Sequence, residues 1–361
     1  GEALWQREDI TGSYMGSIEG NALCTMAIEI ALMTCVDITS GATLWSRRVA
    51  EGTGQDGDML TSNSGVLITA VGSMDMSEAF KSPGSERVIG VNASTGGELW
   101  AYKPDCPLWD FMALFPDKDT VNFMDSCGGL YRVGLYNGSL LWKRVPDPDA
   151  WTDGSATLGP DDSLYTCSNA PGSMNTIHEQ RNMEGLKGRA RKFKQSTGEM
   201  VWEAELADDC LNFPAVSADG KTLVLADGEN VIYPPTRLLT QGMSREAIDK
   251  FYTLQQEWLA EKRQMSMWGQ NNVNGSIIGF DTQTGEIKWK HTVEPWWGWA
   301  FARDEERAYN YVVNNATLPH CGPPQWGGPT IDDNGVVYIT RSSGSLYVYN
   351  PEDDSELQFQ T

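Results

Sequence analysis

"DTQTGEIKW" (residues 281–289) follows the apolar run Ser276-Ile277-Ile278-Gly279-Phe280. The order reads as a strand, a tight turn and the start of a returning strand. Asp281 can bond the backbone of the turn, Gly285 takes a positive-φ position that a side chain disfavours, and Trp289 opens the return. The same spacing recurs in "GEALW" (1–5), "DITSGATLW" (37–45), "NASTGGELW" (92–100), "GLYNGSLLW" (134–142) and "KQSTGEMVW" (194–202). Glycine stands four residues before tryptophan in all six copies. An apolar residue stands nine before it wherever the chain reaches back far enough: Val36, Val91, Val133, Phe193 and Phe280. A degenerate seventh copy, "NPEDDSELQ" (350–358), is preceded by Tyr349 and puts Asp354 in the glycine slot and Gln358 in the tryptophan slot. Fixed internal spacing over this many copies defines a repeat.

Upstream of these units lie further hairpin signals: "NSGVLI" (63–68), "PDKDTVNF" (116–123), "PDDSLYT" (160–166), "ADGKTLVL" (218–225) and "DNGVVYI" (333–339). Two hairpins per tryptophan period make a four-stranded antiparallel blade, and a ring of blades shields the sheet edges. The expected fold is therefore all-β, a β-propeller. Its repeat residues are Trp5, Gly41, Trp45, Gly96, Trp100, Gly138, Trp142, Gly198, Trp202, Asp281, Gly285 and Trp289, each indole being large enough to wedge between adjacent sheets.

These units resemble the PQQ-like (quinoprotein-type) β-propeller repeat family, whose mark is a strand-Asp-x-x-Thr-Gly-x-x-x-Trp unit between the third and fourth strands of each blade. The resemblance runs over essentially the whole chain. It implies a propeller fold and leaves function open, because the family includes PQQ-dependent dehydrogenases, the outer-membrane assembly lipoprotein and many plain binding proteins.

Successive tryptophan slots lie 40, 55, 42, 60, 87 and 69 residues apart, so the basic unit is about 40 residues and the excess is insertion. Residues 1–5 supply only a fourth strand, and the rest of the chain supplies six units. A seven-bladed ring is expected, with eight blades as the alternative, within one domain spanning 1–361 and trimmed at one or both ends.

In such blades the connections after strands two and four emerge on one face. Insertions 72–87, 168–188 and 228–275 follow second strands, and 290–328 is either a fourth-to-first or a second-to-third connection. Long loops on one rim of a rigid scaffold are where function is expected. Within the longest, residues 244–264 read as a helix with Ser244 as N-cap and Lys262 and Arg263 in the last turn. Ile248, Phe251, Tyr252, Trp258 and Leu259 form its apolar stripe, which either packs on the propeller rim or docks a partner. "EPWWGWAF" (294–301) offers Trp296, Trp297 and Trp299 for loop closure or for a protein, sugar or quinone.

A net charge of −22 argues against nucleic acid, which demands a basic face. No run of about 18 apolar residues suggests a membrane span, so membrane association would be peripheral and through partners. Seven cysteines are too few for a disulfide scaffold; Cys106 with Cys127, and Cys24 with Cys35, are placed to face each other across hairpins. His178, His291 and His320 show no metal-ligand spacing, so no metal is expected. Asp153, Asp161 and Asp162 offer at most a weak Ca²⁺ site and read first as turn residues. Of the sequons, Asn92 and Asn137 sit inside repeat turns, which leaves Asn315 the better glycosylation candidate.

Dehydrogenases of the resembling family hold PQQ over a vicinal Cys-Cys disulfide with Ca²⁺ and a catalytic Asp. This chain has no adjacent cysteine pair, and none of its acidic residues matches those positions. The reading is thus a non-catalytic propeller, a scaffold or accessory subunit without PQQ or Ca²⁺, meeting a protein partner on its insertion-bearing face. The alternatives are a PQQ-dependent oxidoreductase and a carbohydrate-binding propeller. The resemblance implies an extracytoplasmic place: periplasm, secretory space or organelle lumen.

Overall fold

The computed structural model describes residues 3–10, 12, 16–27, 30–52, 58–72, 84–145, 152, 156–169, 187–208, 210, 212–228, 244, 246–247, 249–250, 253, 274–295 and 326–360. These residues are almost entirely strand and turn. The first sheet runs β1 (Ser17–Glu19), β2 (Ala22–Ala27), β3 (Leu32–Asp37), β4 (Thr43–Arg48), in that order. The second runs β5 (Thr61–Asn63), β6 (Val66–Val71), β7 (Arg87–Asn92), β8 (Glu98–Tyr102). The third has three strands, β9 (Thr120–Met124), β10 (Leu130–Gly134) and β11 (Leu140–Arg144). An isolated antiparallel bridge between Leu114 and Asn122 stands where its first strand would be. The fourth runs β12 (Thr157–Leu158), β13 (Ser163–Asn169), β14 (Gly188–Lys194), β15 (Met200–Glu205). The fifth runs β16 (Ala215–Val216), β17 (Thr222–Gly228), β18 (Gly275–Asp281), β19 (Ile287–Thr292), and the sixth β20 (Thr330–Ile331), β21 (Val337–Arg341), β22 (Ser345–Asn350), β23 (Ser355–Gln360). The five upstream hairpin signals fall at the first-to-second strand turns of sheets two to six.

The chain divides into two compact units. The first comprises Gly1–Leu158, Asp162–Thr166 and Phe193–Val201; the second comprises Gly159–Asp161, Cys167–Lys192 and Trp202–Thr361.

The repeat turn works through its Asp or Asn. Asp281 Oδ1 accepts the backbone N–H groups of Gln283 and Thr284, both at 2.9 Å, and Gly285 N–H returns to Asp281 O at 2.8 Å. These donors hold the Asp281 carboxyl below its ordinary range. Asn92 Oδ1 takes Ser94 and Thr95 N–H in the same way, and Gly96 follows at φ 69°. The side chains of the sequon residues Asn92 and Asn137 are thus occupied in turn bonds.

A β-bulge then sets the tryptophan. Val36 faces Thr43 and Cys35 faces Trp45, so Leu44 is the extra residue. The same step skips Leu99, Leu141 and Lys288. The bulged leucines lie at the surface, and the shift turns each following indole onto a chosen face of its sheet. There the ring covers the glycine of the next copy: Trp5 on Gly41, Trp45 on Gly96, Trp100 on Gly138, Trp142 on Gly198 and Trp202 on Gly285. Its N–H reaches the carbonyl three residues before that glycine, at Ile38 (2.9 Å), Ala93 (2.8 Å), Leu135 (2.7 Å), Gln195 (3.1 Å) and Thr282 (3.0 Å). Each of these five indoles therefore joins one copy to the next through a fixed pair of contacts.

The degenerate copy departs from this pattern. β22 and β23 pair without a bulge, with Tyr349 opposite Glu356 and Val348 opposite Leu357. Leu357, not Gln358, therefore occupies the register of the tryptophans, and Gln358 turns inward to Ser345 and Tyr347. Spacing counted along the chain misplaces this slot because it assumes the bulge.

Inner strands such as β6 and β13 are buried along their whole length, on both faces. In the sixth sheet burial alternates along β21 and β22. One face, with Ile339, Tyr347 and Tyr349, packs with Val224, Ile277 and Trp326 of the second unit. The other carries Tyr338, Leu346, Val348, Leu357 and Phe359 toward the surface.

Candidate functional site

Strand order fixes where the long connections leave the sheets. Residues 72–86, 170–187 and 229–274 each join a second strand to a third, and 293–329 joins a fourth strand to the first strand of the next sheet. In an antiparallel sheet all these connections emerge at the same end of the strands. Of the expected helix, Glu246, Ala247, Asp249, Lys250 and Thr253 are helical, and Ala247 N–H donates to Ser244 Oγ at 3.3 Å, the N-cap bond. The side chains of Ile248, Phe251 and Tyr252, together with Trp258, Trp296, Trp297, Trp299, His178, His320 and Asn315, lie outside the described residues.

At this end of the strands each unit gathers buried polar groups of its own. In the first unit Asp125 follows β9 and is 1% exposed. Its Oδ1 accepts Cys127 N–H (3.1 Å) and Gly129 N–H (2.8 Å); its Oδ2 accepts Tyr131 Oη–H (2.7 Å) and Cys106 N–H (3.2 Å). Burial nevertheless wins over these donors and pushes the carboxyl up to about 6. Burial and the neighbouring Asp125 likewise raise the Tyr131 hydroxyl far above its ordinary range. Nearby, Asp58 accepts Ser85 Oγ–H and, at 3.2 Å, Phe111 N–H.

In the second unit Asp227, fully buried near the end of β17, lies 3.3 Å from Lys290 Nζ. Burial raises its carboxyl and Lys290 opposes the shift. Arg341, buried at the end of β21, stacks over the Trp326 ring at 5.0 Å and donates to Glu294 O at 2.9 Å. His291 stacks on Tyr349 (ring centres 4.2 Å apart) and contacts Glu356.

Among the described residues three disulfides are formed: Cys24–Cys35, Cys106–Cys127 and Cys167–Cys210. The first joins facing residues of β2 and β3, as the sequence suggests. The second forms by another route than a hairpin around 116–119: Cys106 lies in the connection after β8 and Cys127 in the turn between β9 and β10. The third escapes sequence reading, since its partners are 43 residues apart. Cys106, Asp125 and Cys127 bring two sulfurs and a carboxylate oxygen within 4.8 Å of one another. With the two sulfurs bonded together, neither is the thiolate that a metal would require. Asp161, one of the weak Ca²⁺ candidates, instead pairs with Lys192 at 2.8 Å.

Bulged fourth strands, Asp/Asn-Gly turns and indole-to-glycine contacts define an all-β chain built from one repeated unit. The family model described as "Outer membrane protein assembly factor BamB" matches residues 1–169, consistent with the PQQ-like resemblance read from the repeat. The crystal structure of BamB from Moraxella catarrhalis superposes with a TM-score of 0.54 at 13% identity, covering 96% of this chain and 73% of that one. At that identity the likeness speaks to fold, and with the family match it supports a β-propeller. No curated protein sequence matches the chain.

Proposed function

We propose that this protein is a non-catalytic PQQ-like β-propeller, an accessory or scaffold subunit that meets a protein partner through the connections after its second and fourth strands. The observation that carries this reading is the division of labour along the chain. The repeat residues are spent on turns and sheet-to-sheet contacts, while the excess length is concentrated at one end of the strands. The name of the similar proteins, assembly factors of outer membrane protein, supports an accessory role for this fold. Among the described residues no helix is long and apolar enough to cross a membrane.

Blade number belongs to the same proposal. Trp5 treats Gly41 as Trp45 treats Gly96, which supports Trp5 as part of the outer strand of a seventh blade. The apolar outer face of the sixth sheet, with Leu357 and Phe359, is where a further blade would pack. Three disulfides support an oxidising, extracytoplasmic compartment.

The test is native purification with mass spectrometry of co-eluting proteins, followed by reconstitution with the candidate. Retention of a stoichiometric partner that is lost when 229–243 is shortened supports the reading. A protein that elutes alone, as a monomer, defeats it. A saturable thermal shift on adding PQQ and Ca²⁺ would favour the oxidoreductase instead.

A further inference from the structure

The Cys106–Cys127 disulfide differs from the other two in its surroundings. Cys24, Cys35, Cys167 and Cys210 are all 0% exposed, so no external molecule reaches their sulfurs in the folded state. Cys127 is buried as well, but Cys106 is partly exposed. The pair therefore joins a partly exposed residue to a buried one, whereas both residues of each other disulfide are fully buried. On the inner side lies Asp125, whose carboxylate accepts the backbone N–H of both disulfide residues. Gly129 wraps this carboxylate closely enough that a Cβ there would stand 2.7 Å from Oδ2.

The bland role for Asp125 is to order the turn at 125–129, and its hydrogen bonds do so. That role accounts for the bonds to Cys127, Gly129 and Tyr131. It leaves unexplained why an ionisable group should be buried beside the one disulfide with a partly exposed cysteine.

We propose that Cys106–Cys127 is an exchangeable disulfide, open to a small dithiol or a protein thiol at Cys106, with Asp125 as the positioning residue that handles the proton on the buried side. The entering thiol loses its proton and its thiolate attacks Cys106 Sγ. A new sulfur–sulfur bond forms there as the Cys106–Cys127 bond breaks, and the electron pair leaves on Cys127 Sγ. A proton, equal to the one given up by the entering thiol, reaches Cys127 Sγ by way of the Asp125 carboxyl. A second thiol of the dithiol then displaces Cys106, so the dithiol is oxidised to its disulfide and both cysteines end as thiols. Access and leaving-group stability govern such exchange, and here they fall on different cysteines.

The charged and titratable neighbours of the site are Tyr131 on β10, Lys143 on β11, Tyr102 on β8 and Asp105 in the connection that follows it. Lys143 Nζ is held by Asp105 at 2.7 Å, and Tyr131 Oη accepts Asp105 N–H at 2.8 Å. None of these replaces Asp125 beside the sulfurs. A neutral Asp125 carboxyl can supply a proton to the leaving sulfur, whereas an ionised one repels the thiolate forming next to it. Exchange, expressed per external thiolate, should therefore slow as pH rises through the range where Asp125 ionises.

The test uses the full chain with Cys321→Ser, which removes the one cysteine outside the three disulfides. Native protein is incubated with dithiothreitol, quenched by alkylation and mapped by mass spectrometry. The expected result is paired alkylation of Cys106 and Cys127, faster than either other pair by about tenfold or more, while circular dichroism stays native. The rate constant per dithiothreitol thiolate should fall by about tenfold between pH 5 and pH 7.5, and the fall should vanish in Asp125→Asn. Earlier opening of Cys24–Cys35 or Cys167–Cys210, or opening of all three only with unfolding, overturns the proposal. Should Asp125→Asn fail to fold, the order of opening and the pH profile of the Cys321→Ser protein decide; a flat profile removes Asp125 from the proposal's chemistry.

Discussion

Gly138→Ala should cost far more in the presence of Trp100 than in its absence. Gly138 has φ 62°, a left-handed conformation that costs a residue with a Cβ about 1 kcal/mol. A Cβ built there would also stand 2.7, 2.8 and 2.9 Å from three atoms of the Trp100 ring. Carbon atoms pack at about 3.5–4.0 Å, so the ring would have to retreat by nearly an ångström. It has nowhere to go: Gly90 of its own sheet lies against its other side, and its N–H is tied to Leu135 O at 2.7 Å. Overpacking of this kind costs roughly 1–3 kcal/mol, which brings Gly138→Ala to about 3 kcal/mol in total.

A double-mutant cycle separates the two contributions. Trp100→Ala alone should cost about 4 kcal/mol through lost burial. In that background Gly138→Ala should cost only the backbone share, about 1 kcal/mol, for a coupling of about 2 kcal/mol. Gly65→Ala is the internal control, because Gly65 has φ 83° with nothing within 4 Å of its Cβ position, and it should also cost about 1 kcal/mol. The assay is urea denaturation followed by far-ultraviolet circular dichroism, which does not depend on the removed indole. A coupling within about 0.5 kcal/mol of zero would show that the ring is not what excludes a side chain at 138, and the account of sheet-to-sheet docking would fail.

Asp281→Ala removes the acceptor of two turn N–H groups at an exposed position, and thermal melting should report a loss of about 1 kcal/mol. Asp125 gives a pH signature of opposite sign to the usual carboxylate. Its pKa rises from 3.8 to about 6 on folding, so the native state binds more protons in between and stability falls as pH rises through that window. The stability difference between wild type and Asp125→Asn, measured by urea denaturation at pH 4 and pH 7, should shift by roughly 2–2.5 kcal/mol in favour of the variant at the higher pH. Leu357→Gln should change stability by less than about 0.5 kcal/mol, because the side chain is 62% exposed; a larger loss in the same assay would mean that something covers the outer face of the sixth sheet.

What was legible in the sequence was whatever the chain specifies locally. An Asp and a Gly four residues apart make the same turn wherever they occur, and an indole four residues later starts the same strand. Repetition then multiplied a weak signal into an all-β architecture before any contact was known. The disulfides mark the limit of this kind of reading. Cys24 and Cys35 face each other within one hairpin, so spacing suffices. Cys167 and Cys210 meet only because the strands between them return to the same place, and the 43-residue separation says nothing about that. Asp125 was invisible for a similar reason. In "DSCGG" (125–129) it looks like one more turn aspartate; only burial and the arrival of Cys106 and Tyr131 from elsewhere distinguish it.

The degenerate copy shows why even a sound repeat needs three dimensions. Counting residues places Gln358 where the tryptophans stand, and a polar side chain there suggests that docking has simply been lost. The register says otherwise. Without the bulge, the strand reaches the same position one residue sooner, and Leu357 arrives there with Phe359 on the same face. At Trp45, Trp100 and Trp142 the bulge and the indole act together: the extra residue aims the ring, and the ring closes on the next glycine. A copy without both still completes its own sheet but cannot engage a following copy by the indole contact the others use. A partner that covered Leu357 and Phe359, both exposed here, would bind them as an apolar surface, with no hydrogen bond from an indole to set its register.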